Sequence, residues 1–125
     1  ILNFGHSFAH AYEATLGFSK KLNHGEAVIL GMKTALNFSL KTKFMNIREY
    51  YSIIDHIDNS DLPSSVSKFF GPKDVNKILS FMAKDKKNRS NNINLVLLKK
   101  IGAPMINKEY SKKKISLFLK IFLRN

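Results

Sequence analysis

Apolar side chains recur at steps of three and four along most of this chain, and one stretch breaks the rhythm. From about Gly25 to Lys41, Val28, Met32, Ala35, Leu36 and Ser39 fall on one face of a helix. Ile47, Tyr50, Tyr51, Ile54 and Ile57 do the same between Ile47 and Ile57, and Val75, Ile78, Leu79 and Met82 between Val75 and about Lys87. An earlier helix is predicted from about Phe4 to Leu16, capped by Asn3 and closed at Gly17. A short helix over Val66 to Phe70 follows the loop Asn59 to Ser65, and Gly71 to Asp74 punctuates again. The last segment, about Lys108 to Leu123, reads as a basic amphipathic helix carrying Ile115, Phe118, Leu119 and Phe122. The exception is Ile93-Asn94-Leu95-Val96-Leu97-Leu98, apolar and partly β-branched, which predicts a strand. Gly102-Ala103-Pro104 turns the chain so that Met105-Ile106 can pair back. The expectation is a mainly α, multi-helical fold with one small β-hairpin.

With 125 residues the chain fits one domain and can bury a core. It has no cysteine, which removes disulfides and thiolate metal sites and fits a reducing compartment. The opening residues carry no basic stretch ahead of an apolar one, and no apolar run reaches the ~20 residues of a membrane span. A cytoplasmic location is therefore expected. The chain opens on Ile1, immediately before a motif, and reads as a piece of something longer. Its net charge of +12 raises nucleic-acid binding. The lysines, however, spread from Lys20 to Lys120 and do not interleave with aromatics as a stacking platform requires. Neither nucleic acid nor membrane is the expected partner.

Three of the four histidines lie near the start: His6 and His10 in Asn3-Phe4-Gly5-His6-Ser7-Phe8-Ala9-His10-Ala11-Tyr12-Glu13, and His24 in His24-Gly25-Glu26-Ala27-Val28. Imidazole is the commonest metal ligand and a proton shuttle near neutral pH. On a helix, His6 and His10 share one face, and His24 could fold back toward His6. A catalytic zinc needs about three protein ligands and an open position, and Glu13 and Glu26 are local carboxylate candidates. Capping or core histidines are the structural alternative. His56, amid Ile53, Ile54 and Ile57, reads as structural or surface. The run Lys84-Asp85-Lys86-Lys87-Asn88-Arg89 closes a helix, where cations suit the dipole or could hold phosphate.

These residues, in this order, resemble one family. Leu2-Asn3-Phe4-Gly5-His6-Ser7-Phe8-Ala9-His10-Ala11-Tyr12-Glu13 resembles the L-N-x-G-H-[ST]-x-G-H-A-x-E motif of 3-dehydroquinate synthases. His24-Gly25-Glu26-Ala27-Val28-Ile29-Leu30-Gly31-Met32 resembles their H-G-E-A-V-x-x-G-M motif. Asp85-Lys86-Lys87, then Leu95-Val96-Leu97-Leu98 and Ile101-Gly102, resembles their D-K-K…L-V-L-L…I-G segment. Ala9 stands where the family usually has Gly, an added methyl group.

The resemblance implies the C-terminal, helical, metal- and substrate-binding domain of that enzyme, filling residues 1–125, with an NAD-binding domain outside the chain. It implies conversion of 3-deoxy-D-arabino-heptulosonate 7-phosphate to 3-dehydroquinate and phosphate, in the shikimate pathway, with NAD and zinc, for which cobalt can substitute. The family route is alcohol oxidation, phosphate elimination, re-reduction, ring opening and aldol closure. By motif, His6 and His24 are metal ligands, and the third ligand, a Glu, comes from an upstream segment rather than from Glu13 or Glu26. His10 binds the phosphate region of the substrate and helps proton transfer, with Asn3 beside it, and Lys86 or Lys87 contacts phosphate. The resemblance further implies a homodimeric whole enzyme and an inactive isolated fragment. The alternatives are another sugar-phosphate cyclase, such as 2-deoxy-scyllo-inosose synthase, or a basic noncatalytic binding module.

Overall fold

A computed structural model of the chain describes residues 4–58, 65–84 and 91–124. Among these described residues, five α-helices and a two-stranded antiparallel sheet follow in the order α1 (His6–Thr15), α2 (His24–Lys41), α3 (Ile47–Asp58), α4 (Val75–Ala83), β1 (Asn92–Leu97), β2 (Ile106–Ser111) and α5 (Lys112–Phe122). Single 3-10 turns at Val66–Lys68 and Pro72–Asp74 link α3 to α4.

The central element is α2. One apolar face of Val28, Met32, Ala35, Leu36 and Ser39 was expected, but Ala27, Leu30, Thr34 and Phe38 are buried as well, so the helix is wrapped on most sides. Its polar side chains bond inward to the helix itself. Thr34 Oγ1 donates to the Leu30 carbonyl and Ser39 Oγ to the Ala35 carbonyl, each at 2.8 Å. Because the single Thr34 proton is spent on Leu30, the Tyr12 hydroxyl must donate to Thr34 Oγ1 across 2.7 Å. That bond ties α1 to α2 inside the core.

The backbones of α1 and α2 also touch. Gly5 has φ +74°, a left-handed conformation that costs glycine little, and it forms the N-cap of α1 without a side-chain bond. This corrects the expected start at Phe4 and the expected Asn3 cap; Asn3 itself lies outside the described residues. A Cβ on Gly31 would fall 2.5 Å from the Gly5 carbonyl oxygen and 2.8 Å from the Ala9 Cβ. Ala9 is buried in the seam, so its methyl group is tolerated because Gly31 has none.

Around α2 the remaining elements close the core. Ile53, Ile54 and Ile57 of α3 are buried, whereas Ile47 and Tyr51, expected on the same face, are exposed. Val75, Ile78 and Met82 anchor α4, and Ile115 and Leu119 anchor α5. Each full burial of this kind contributes roughly 1.5–3 kcal/mol. β1 alternates as a half-buried strand should, with Ile93, Leu95 and Leu97 inward.

The last helix starts later than expected. Residues 108–111 belong to β2, in register from Asn92 opposite Ser111 to Leu97 opposite Ile106. Ser111 then caps α5 by accepting from the Lys114 amide at 3.1 Å. Only Lys108 and Tyr110 in β2 are half-buried; Tyr110 meets Phe38 edge-on at 4.7 Å, and Phe118 meets it from α5 at 5.1 Å. The expected helix end near Lys87 lies outside the described residues, and α4 runs to Ala83.

Two outcomes follow from this core. Gly31→Ala should destabilise the folded protein by about 1–3 kcal/mol, since backbone and a buried methyl must both yield. Gly71→Ala, with an ordinary φ and nothing within 4 Å, should change it by less than about 0.5 kcal/mol. Urea unfolding of the two variants checks the contrast. Burial also holds the Tyr12 phenol neutral well above the usual tyrosine range. Above about pH 10 the unfolded chain ionises this phenol and the folded chain does not. The unfolded state then binds fewer protons, and stability falls as pH rises. Tyr12→Phe should flatten that alkaline fall, measured as the change of urea midpoint with pH.

Candidate metal and substrate site

A ten-residue helix carries two faces with different work. Phe8, Ala11, Tyr12 and Thr15 of α1 point into the core. His6, His10 and Glu13, spaced by four and three, form one stripe on the opposite side. The His6 and His10 rings lie side by side, with centroids 4.2 Å apart and planes tilted by 35°. Both residues are exposed.

The third histidine opens α2. Asn23 is the N-cap, accepting from the Glu26 amide at 2.8 Å, while Glu26 Oε1 accepts from the Asn23 amide at 3.0 Å. This reciprocal capping box satisfies two of the donors that a helix start leaves open. It also fixes the backbone of His24 as the first helical residue. Glu26 is thereby committed to the cap, which removes it as a local ligand candidate.

Glu13 is committed to His24. The His24 Nδ1 sits 3.2 Å from Glu13 Oε2 and 3.3 Å from Oε1. An ionised carboxylate only accepts, so Nδ1 carries the proton and donates, and in the neutral ring Nε2 holds the lone pair. The two helices run past each other so that Gly5 meets Gly31 at one end and Glu13 meets His24 at the other.

α4 closes the other side of the stripe. His6, Ser7 and His10 face Phe81, Met82 and Lys84 across a cleft of about 350 Å³. Lys84 Nζ lies 4.9 Å above the Phe81 ring. Lys86 and Lys87, the lysines singled out for phosphate, lie outside the described residues, as does Asn3. A larger groove of about 720 Å³, lined by Phe4, Met32, Ile53, Leu98 and Met105, is mainly apolar. The exposed His56 stands on its wall, whereas the smaller cleft gathers His6 and His10.

Thus the structure pairs His6 with His10 and His24 with Glu13. Among the described residues, no group of three His, Cys, Asp or Glu side chains is placed to hold a metal ion. Sequence reasoning missed Ser7 as a wall of the cleft, and it singled out Lys84 only within the basic run that could hold phosphate. It treated Glu13 as a ligand candidate, although its position three after His10 on the histidine stripe marks it as a neighbour of whatever those rings serve.

Residues 1–88 match the family described as 3-dehydroquinate synthase C-terminal. The chain is 57% identical over 120 residues to the 3-dehydroquinate synthase of Pelagibacter ubique, covering 96% of this chain and 33% of that protein. It is 34% identical over 119 residues to the 3-dehydroquinate synthase of Zymomonas mobilis, covering 95% of this chain and 31% of that protein. Among solved structures, 2-deoxy-scyllo-inosose synthase complexed with carbaglucose-6-phosphate, NAD+ and Co2+ matches with a TM-score of 0.72. That match has 22% identity and covers 97% of this chain and 33% of the other. The chain spans about a third of the length of the curated relatives it matches. The expected mainly α fold with one hairpin is the one observed, and the matching third of that synthase chain shares it.

The capping box makes one prediction. Asn23→Ala should cost about 1 kcal/mol of stability, in the range of measured cap losses, and should speed amide exchange in the first turn of α2. Urea unfolding and hydrogen exchange read the two effects.

Proposed function

The chain belongs to the 3-dehydroquinate synthase family, and from that membership we propose that it forms the metal- and substrate-binding part of such an enzyme. The reaction is conversion of 3-deoxy-D-arabino-heptulosonate 7-phosphate to 3-dehydroquinate and phosphate, with NAD and zinc or cobalt. The observation that carries this reading is 57% identity along nearly the whole chain to a synthase of that name. The 2-deoxy-scyllo-inosose synthases share the fold, but at 22% and 18% identity. Residues 1–125 act as one helical unit in a longer, cytoplasmic, homodimeric enzyme whose NAD-binding part lies outside this chain. This third of the enzyme is inactive alone.

Two imidazoles suit a divalent ion of borderline softness. His24 keeps a lone pair on Nε2, and His6 presents an exposed imidazole one helix away. His6 and His24 are the proposed ligands from this chain, and a carboxylate from elsewhere in the enzyme completes the set. When bound, the metal polarises substrate hydroxyls and the nicotinamide takes and returns a hydride.

The remaining residues place and protonate. His10, beside His6 and open to the cleft, is positioned to hold the phosphate end of the substrate and to move a proton near it. Asn3, just ahead of α1, and Lys86 and Lys87, just beyond Lys84, are assigned to the substrate by their motifs. Lysine ammonium groups bind phosphate as point charges and steady a departing phosphate. Holding both ends of one sugar phosphate fixes the reacting bonds in place, which lowers the entropic part of the barrier.

The full-length protein should release inorganic phosphate from the heptulosonate phosphate only with NAD present; absence of release with NAD and zinc supplied would sink the assignment. His6→Ala and His24→Ala should each remove bound zinc, measured as metal per chain. His10→Ala should retain zinc and lower kcat about 10²-fold or more.

A further inference from the structure

We infer that Glu13 is a positioning residue for the metal site: its carboxylate holds the His24 ring through Nδ1 and aims Nε2 at the metal. The inference rests on the reading of His24 as a ligand, and assigns Glu13 a role distinct from that of ligand.

Three observations converge on it. Both Glu13 oxygens lie within 3.3 Å of His24 Nδ1, so the ring nitrogen sits over the carboxylate rather than at its margin. The pair is buried unequally: the Glu13 side chain is 14% exposed and that of His24 68%. The carboxylate therefore supports the ring from the protein side and leaves the ring's other edge to the exterior. Finally, neither partner is free to drift. Glu13 is carried by α1, whose approach to α2 is set by the glycine contact, and His24 by a helix start fixed with a capping box.

The chemistry of the pair matches what a ligating imidazole needs. The carboxylate selects the tautomer with the proton on Nδ1, so the lone pair is on Nε2 before any metal arrives. It also makes the imidazole a better donor, and loss of such a support typically weakens metal binding about 10–100-fold. An ion pair that served only to hold the surface together would be screened and would leave metal affinity unaffected.

Cobalt(II), titrated into the metal-free full-length protein and followed by visible absorption, separates these. Glu13→Ala should weaken cobalt binding about 10–100-fold while the thermal midpoint of the metal-free protein stays close to that of the wild type. Glu13→Gln, whose amide oxygen still accepts from Nδ1, fills the same space and should fall between wild type and Glu13→Ala. It also serves should the alanine variant fail to fold. Equal cobalt affinity in wild type and both variants overturns the inference, as does a lowered thermal midpoint with unchanged affinity. Loss of cobalt as complete as in His24→Ala would make Glu13 a ligand and overturn it too. If the wild-type protein takes up no cobalt, the metal reading of His24 fails first and the inference falls with it.

Discussion

Everything in this structure hangs on two helix backbones that touch. Gly5 and Gly31 approach so closely that a methyl group on either would meet backbone atoms of the other at 2.5–2.7 Å. A protein interior has no slack to absorb such a methyl, so the seam tolerates one spacing of α1 and α2. At that spacing the Tyr12 hydroxyl reaches Thr34, and Glu13 reaches His24, about two turns from the glycine contact. Moved apart by one side chain, the helices would strand a buried phenol and lose the carboxylate beneath the histidine ring.

The rest of the fold keeps that seam in place. α2 is wrapped by α1, α3, the hairpin and α5, with Phe38 gripped edge-on by Tyr110 and Phe118. α4 packs on α1 and brings Phe81, Met82 and Lys84 across from the two histidines. The cleft is therefore a by-product of core packing: the apolar side of α4 is anchored by Val75, Ile78 and Met82, and its far end overhangs the polar side of α1.

Much of this was legible because helix period and strand alternation are strong local signals. The helices α1 to α4 and the strand β1 follow the spacing of their apolar residues. The errors fall where that signal thins. β2 buries two side chains by half, so its alternation was masked by the lysines that continue into α5. In α3, Ile47 and Tyr51 look apolar enough for the core, yet the chain packs through Ile53 instead. The start of α1 was misplaced because a left-handed glycine cap has no side chain to announce it. At the site, the pairing of His6 with His10 was written in their spacing. The bond between Glu13 and His24 joins two helices, and no spacing along the chain encodes it.

A helix of ten residues that must do so much has little sequence freedom. Its inward side needs Phe8, Ala11, Tyr12 and Thr15 to fill the core, and its seam needs Ala9 small opposite Gly31. Its outward side needs His6, His10 and Glu13 in one stripe. The glycine before it must take a positive φ, which few other residues accept. Nearly every position of this segment is thus fixed by packing, by conformation or by the ring it presents. That is why a motif of barely a dozen residues carries more information about the site than the hundred that follow. The outward stripe gains its order from the inward one, since a helix that could slide would keep neither its imidazoles side by side nor its carboxylate under the ring of the neighbouring helix.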